Sequence, residues 1–186
     1  ALATSGAFTA SFGDDRRHAL WEAGAFGHGN IDKLQGIMGL QTRPTLPGME
    51  PIEEAIADLW ATGISPDGHP TIFLREQLQA KGVITADQLP AVPHRDRAMV
   101  AGIVTHRQRP MSAKGATFIS LEDETGLINV VCSKGCWARY RNVARDASAL
   151  LVRGRLEVGD GGVINVAAEH IAPLSVGAKV PHKQAR

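Results

Sequence analysis

Phe118, Ser120 and Asn129 are the residues of this chain whose types and spacing best fit a binding chemistry. Apolar and polar side chains alternate in the two segments that carry them, which predicts strands with Ile119 and Ile128 inward and these three side chains outward. An exposed aromatic ring beside hydroxyl and amide groups can stack on an unpaired base and hydrogen-bond to its edge. The alternative is that Phe118 packs under a neighbouring loop or against a helix.

Three basic side chains lie close to these strands in sequence. Arg107 and Arg109 end the strand before Phe118, and Lys114 lies in the loop that joins the two strands. Cations beside a stacking ring would contact the phosphates of a bound strand. The alternative is that they are ordinary solvated surface residues.

The elements that must position these residues are five strands and one helix. A turn formed by residues 123–126 separates the second strand from the third, and residues 159–162 form the turn between the fourth and the fifth. A helix-like stretch lies between the third and fourth strands. This order predicts an α+β protein with a five-stranded OB-type β-barrel, a fold that often binds single-stranded nucleic acid. The predicted strands are Val100–Val104, Thr117–Leu121, Leu127–Cys132, Leu150–Leu156 and Val163–Ala168.

The front half of the chain is predicted to be helical. Helical spacing of apolar residues indicates helices at Pro51–Thr62 and about Pro70–Ala80, with a further turn at Thr85–Leu89. An earlier helix at Arg16–Ala23 follows a cap at Asp14 or Asp15. The predicted organisation is an end of a helical region at 1–26, a linker at 27–48, a helical connecting segment at 49–93, the barrel at 94–172 and a flexible basic tail at 173–186.

Charge is divided unevenly along the chain. Residues 1–93 carry a net charge of −5, residues 94–172 carry +3 and the last fourteen residues carry +3. The barrel is therefore basic enough to permit phosphate contacts. No apolar run is long enough to span a membrane and the chain begins with Ala, so we expect a soluble cytoplasmic fragment of a longer protein.

Other groups that could do chemistry favour structural roles. Cys132 and Cys136 have no second pair and no neighbouring His, which favours free thiols over a zinc site or a disulfide. Glu122, Asp123 and Glu124 straddle a hairpin turn, and we expect them to be solvated rather than to converge on a metal. The sequence has no Ser-His-Asp set and no phosphate-binding glycine loop, so we expect no catalysis, metal or cofactor in this segment.

Longer motifs resemble a known family. LEDETGLINVVCSKGCWARYRNVARDASALLVRGRLEV, LWATGISPDGHPTIFLREQL and VAGIVTHRQRPMSAKGATFISLEDETG are similar to the C-terminal region of bacterial C-family DNA polymerases. The likeness is to the error-prone, DnaE-type branch (ImuC), which is related to the DNA polymerase III alpha subunit. The opening ALATSGAF and DDRRHALWEAGAF resemble the end of that family's helix-hairpin-helix region. The pattern of the second and third strands is also similar to the anticodon-binding barrels of class II tRNA synthetases.

The resemblance implies the non-catalytic end of a translesion DNA polymerase used in damage-induced mutagenesis. Its palm would lie upstream, and its barrel would bind single-stranded template DNA. Replicative relatives carry a sliding-clamp peptide with an aromatic residue, whereas the matching region here offers only Ile37, Met38 and Leu40 after Gln35. We therefore expect an adapter of the ImuB type to connect this chain to the sliding clamp. The alternative function is a protein-docking module for such partners, with little DNA binding.

Overall fold

The computed structural model describes residues 2–13, 15–27 and 44–175. These residues divide into two units, Ala1–Pro66 and Asp67–Arg186. The proposed clamp-peptide residues Ile37, Met38 and Leu40 lie outside the described residues, as do most of the predicted linker and the end of the predicted tail.

The first unit is helical, as the sequence predicts. Its helices are α1 (Ala7–Phe12), α2 (Arg16–Gly27) and α3 (Pro51–Thr62). A capping box between Glu50 and Glu53 begins α3, where proline at the first position costs no hydrogen bond. The Arg16 guanidinium donates to Asp58 Oδ1 at 2.7 Å, and Arg17 donates to Glu53 Oε2 at 2.5 Å, so two ion pairs join α2 to α3.

The second unit begins with short helical turns. A 3₁₀ turn at Pro70–Leu74 leads into α4 (Arg75–Ala80), and a second 3₁₀ turn covers Ala86–Ala91. The prediction of one helix across Pro70–Ala80 is thus corrected to two pieces. The turn at Pro70–Leu74 is anchored by Thr71, which is buried and bonded to Glu124 across the unit. A tertiary contact has therefore set the local geometry.

Five strands follow and close into a barrel in the order β1-β2-β3-β5-β4. The helix α5 (Lys134–Asp146) lies between β3 and β4, which confirms the predicted fold class. Every pairing is antiparallel except β3 with β5, which is parallel. The strands are β1 (Arg97–Gln108), β2 (Thr117–Asp123), β3 (Gly126–Cys132), β4 (Ala149–Val158) and β5 (Ile164–Pro173).

The barrel interior is filled by aliphatic side chains from all five strands. The alternation read from the sequence is confirmed on β2 and β3, where the predicted inward residues are at most 1% exposed. Close approach of two strands requires glycine at Gly154, because a Cβ there would lie 2.1 Å from the Ala167 carbonyl oxygen. The largest fully buried side chains are Val100, Ile119, Leu121, Ile128, Val130, Leu150, Val152, Leu156, Val166 and Ile171.

The turn between β2 and β3 is attached to the preceding helical segment. Asp123 is 3% exposed, and its Oδ1 accepts from the Thr125 and Gly126 N–H groups at 2.8 and 3.0 Å. Its Oδ2 accepts from the Ala86 N–H at 2.8 Å. The expectation that Asp123 and its neighbour Glu124 are solvated is therefore wrong, because the helical segment buries this turn.

Candidate nucleic-acid interface

The predicted binding side chains meet on the outer face of β1, β2 and β3. Phe118 is 39% exposed and lies in register between Gln108 on β1 and Val131 on β3. Ser120 pairs directly with Asn129, whose side chain is exposed. Directly paired residues point to the same side of a sheet, so the ring and the two polar side chains share one surface. Phe118 is thus partly open to solvent on this surface.

The register adds polar neighbours that sequence reasoning missed. His106 pairs with Ser120, and Asn165 on β5 pairs in parallel register with Asn129. These residues, with Ser120 and Asn129 between them, form a polar row of four side chains across β1, β2, β3 and β5. A bulge between Val104 and His106 sets the first pairing, and a long-range parallel pairing sets the second, so local sequence patterns carry no signal for either.

The loop between β1 and β2 carries two of the predicted cations. Arg109 directly follows Gln108, the partner of Phe118, and its side chain is exposed. Lys114 is also exposed and adopts the left-handed conformation at φ 50°. The Ala113 N–H donates to the Pro110 carbonyl at 3.1 Å, so a 3₁₀ turn gives this loop a defined shape.

Arg107, the third predicted cation, has a different role. It pairs with the inward-facing Ile119, and its Nε donates to the Ala144 carbonyl at 2.7 Å while Nη2 donates to the Ala147 carbonyl. Both carbonyls lie at the end of α5, where free carbonyls require donors. Burial lowers the pKa of the Arg107 guanidinium, partly offset by the charge of Asp146. The prediction that Arg107 flanks Phe118 is corrected, because the β-bulge turns it toward the helix.

The opposite end of the same face is acidic, and one of its carboxylates is ion-paired. Glu122 pairs with Leu127, four residues or about 13 Å along β2 from Phe118. Burial raises the pKa of Glu124, but hydrogen bonds from Arg75 and Thr71 outweigh it and lower the pKa to about 2. The face therefore has a basic end at the loop and an acidic end at the hairpin turn, which favours anion binding near Phe118 rather than near Glu122.

The other chemical groups lie apart from this face. Cys132 is buried and Cys136 is half-buried, both as free thiols, and burial raises the pKa of Cys132 to about 12. Across residues 2–13, 15–27 and 44–175 there is no cluster of three or more metal-ligating side chains. No helix in that part of the chain is long and apolar enough to cross a membrane.

Comparisons with known proteins show what the barrel segment is similar to. Residues 98–174 match a tRNA anti-codon family described as an OB-fold nucleic acid binding domain. A solved structure of asparaginyl-tRNA synthetase from Pyrococcus horikoshii is 16% identical, with a TM-score of 0.42 over 48% of this chain and 22% of that one.

The chain is also similar in sequence to DNA polymerases. Proteins named error-prone DNA polymerase are 52% identical over 96% of this chain in Mycolicibacterium paratuberculosis and 51% identical over 95% in Nocardia farcinica. The chain spans 16% of the length of each of these relatives. The resemblance found in the sequence is thereby confirmed, and the chain is homologous to one segment of the error-prone DNA polymerases.

Proposed function

We propose that this chain binds single-stranded template DNA on the outer face of β1, β2 and β3, as the non-catalytic part of an error-prone polymerase. The observation that carries the proposal is the exposed Phe118 ring beside the paired Ser120 and Asn129. One base stacks on the ring, and the polar side chains bond to base edges. Arg109 and Lys114 contact the phosphates on either side.

The polymerase acts in translesion synthesis during damage-induced mutagenesis. A barrel that stacks bases without strict readout suits a damaged template, because every base has a face to stack. The proposed role in translesion synthesis is supported by the chain's homology with error-prone DNA polymerases.

Fluorescence anisotropy with a labelled single-stranded oligonucleotide across a salt series tests the proposal. Base stacking contributes about 1–3 kcal/mol, so Phe118→Ala is expected to weaken binding about 5- to 150-fold. Leu127→Ala is the matched control, since Leu127 is 65% exposed on the same face near its acidic end. Absence of binding at low salt, or equal effects of the two variants, would refute the proposal.

A second function, recruitment through an adapter protein and through it the sliding clamp, is favoured by exposed apolar side chains in the helical segment. Ile72 is 51% exposed and Phe73 is 40% exposed in the turn before α4. An ImuB-like adapter would bury them, and binding through apolar surface would tolerate salt. Replacing both with Ser should abolish adapter capture by the purified chain while DNA binding is unchanged; retained capture would exclude this surface.

A further inference from the structure

We propose that the single strand bound at Phe118 continues across β5 and reaches exposed arginines on β4 and β1, which hold its phosphates. These residues, called the arginine group, are Arg97, Arg153 and Arg155. The proposal rests on the proposed function, since the strand's path begins at the Phe118 ring. It assigns a second set of phosphate contacts outside the face formed by β1, β2 and β3.

Register connects the two places around the outside of the barrel. Five side chains form a continuous row around the barrel, in which each residue pairs directly with the next. Because directly paired residues point to the same side of a sheet, all five side chains point outward with Phe118. Three strand spacings of about 4.8 Å separate Phe118 from Arg155, a path of about 14 Å or about four nucleotides of stacked strand. This row of side chains consists of Phe118, Val131, Ala167, Arg155 and Arg97.

Between Phe118 and Arg155 the side chains project little from the strands, and asparagine side chains lie along one edge of this surface. Val131 and Ala167 are both half-buried, so neither projects far above the strands. Beside them, Asn129 and Asn165 pair with each other on β3 and β5. A strand crossing β5 therefore finds room over Ala167 and hydrogen-bonding groups next to it.

Two members of the arginine group, Arg97 and Arg153, carry charges that no described residue neutralises. Arg97 lies directly opposite Arg155 on β1 and β4, so their guanidinium groups share one patch of surface. Arg155 donates to Glu169 Oε1 at 2.9 Å. Among residues 2–13, 15–27 and 44–175, no hydrogen bond or ion pair engages the guanidinium of Arg97 or of Arg153.

The local acids leave this surface open to an anion. Exposed Asp96 is next in sequence to Arg97. Exposed Glu157 lies two residues after Arg155 on the same outer side of β4, where it pairs with Asn165 in the neighbouring row. His170 lies opposite Arg153 and adds hydrogen-bonding capacity. Guanidinium groups bind phosphate through paired hydrogen bonds, and continuity with the Phe118 face favours a nucleic-acid strand over an acidic protein.

Oligonucleotide length separates the two sets of contacts. A two-residue oligothymidylate stacked on Phe118 is too short to reach the arginine group, whereas a twelve-residue one is long enough. Anisotropy competition measures how tightly each oligonucleotide binds to the wild-type chain and to the double variant Arg97→Gln/Arg153→Gln. Arg139→Gln/Arg141→Gln is the control, because it removes two exposed charges from α5 instead.

We expect the double variant to weaken the twelve-residue oligonucleotide roughly 3- to 10-fold and to lower its salt slope by about 0.7 for each lost phosphate contact. Binding of the two-residue oligonucleotide should change less than about twofold, and the control should leave the binding of both oligonucleotides unchanged. This pattern would establish the path.

Three results would overturn the inference. Equal weakening of both lengths, or the same effect in the control, would assign the change to general electrostatics. Unchanged binding of the twelve-residue oligonucleotide, while Phe118→Ala still weakens it, would remove the arginine group and leave the proposed function intact. Stronger competition by a polyglutamate peptide than by the oligonucleotide would assign this surface to an acidic protein. If Phe118→Ala changed oligonucleotide binding in none of the assays, the proposed function would be refuted, and so would the path from Phe118 to the arginine group.

Discussion

Arg75, at the start of α4, donates hydrogen bonds from Nε and Nη2 to the two carboxylate oxygens of Glu124, in the turn between β2 and β3, the second at 2.8 Å. Thr71 donates to the same carboxylate at 2.5 Å. Side-chain exposure is 20% for Arg75 and 12% for Glu124, so little water competes for the pair. This contact attaches the helical segment to the hairpin that carries the candidate interface.

Arg75→Gln is expected to destabilise the second unit by about 2–3 kcal/mol, because hydrogen bonds to a charged group are lost and Glu124 stays partly buried. Urea unfolding followed by circular dichroism measures the change. Arg145→Gln is the control, since Arg145 is exposed and pairs only with the adjacent Asp146 among the described residues. Equal unfolding free energies for both variants would contradict a stabilising role for Arg75.

The same pair predicts a pH dependence of stability. The pKa of Glu124 is about 2 in the folded chain and 4.5 without the fold. A depressed folded pKa stabilises above the unfolded value, and that stabilisation is lost as the pH falls from about 4.5 to about 2. The difference in unfolding free energy between the wild-type chain and Glu124→Gln should therefore shrink across this window. A difference that is constant with pH would show that folding does not change the pKa of Glu124.

Arg107 and Arg109 are expected to respond in opposite ways to substitution by Gln. Arg107→Gln removes two hydrogen bonds to carbonyls at the end of α5, so stability should fall by about 1–3 kcal/mol. Arg109→Gln should leave stability nearly unchanged but lower the salt slope of single-strand binding by about 0.7. Thermal unfolding and salt-dependent anisotropy check both. A lower salt slope in the Arg107 variant at full stability would return Arg107 to the interface.

Two glycine substitutions should change stability in opposite directions. In Gly154→Ala the new Cβ meets the Ala167 backbone, which cannot rotate away, so a loss of about 3 kcal/mol or more is expected. In Gly135→Ala nothing lies within 4 Å in the first turn of α5, and alanine should stabilise the helix by up to about 1 kcal/mol. Chemical unfolding of both variants measures the contrast. A tolerated Gly154→Ala would mean that β4 and β5 can separate locally.

The sequence by itself determined the barrel fold, the order of its elements along the chain and the face that carries Phe118. Alternation with period two fixes which side of each strand is apolar, and burial of Ile119 and Ile128 then forces Phe118, Ser120 and Asn129 outward. This part could be predicted because it depends on near neighbours in the chain and on the tendency of apolar side chains to avoid water.

Only the tertiary structure decided the long-range contacts. A bulge after Val104 turned Arg107 toward α5, and the parallel pairing of β3 with β5 placed Asn165 beside Asn129. The sequence predicted Asp123 and Glu124 to be solvated turn residues, whereas in the structure the helical segment covers both. In each case the partner lies more than thirty residues away, and charged or polar side chains carry no periodic signal that identifies such a partner.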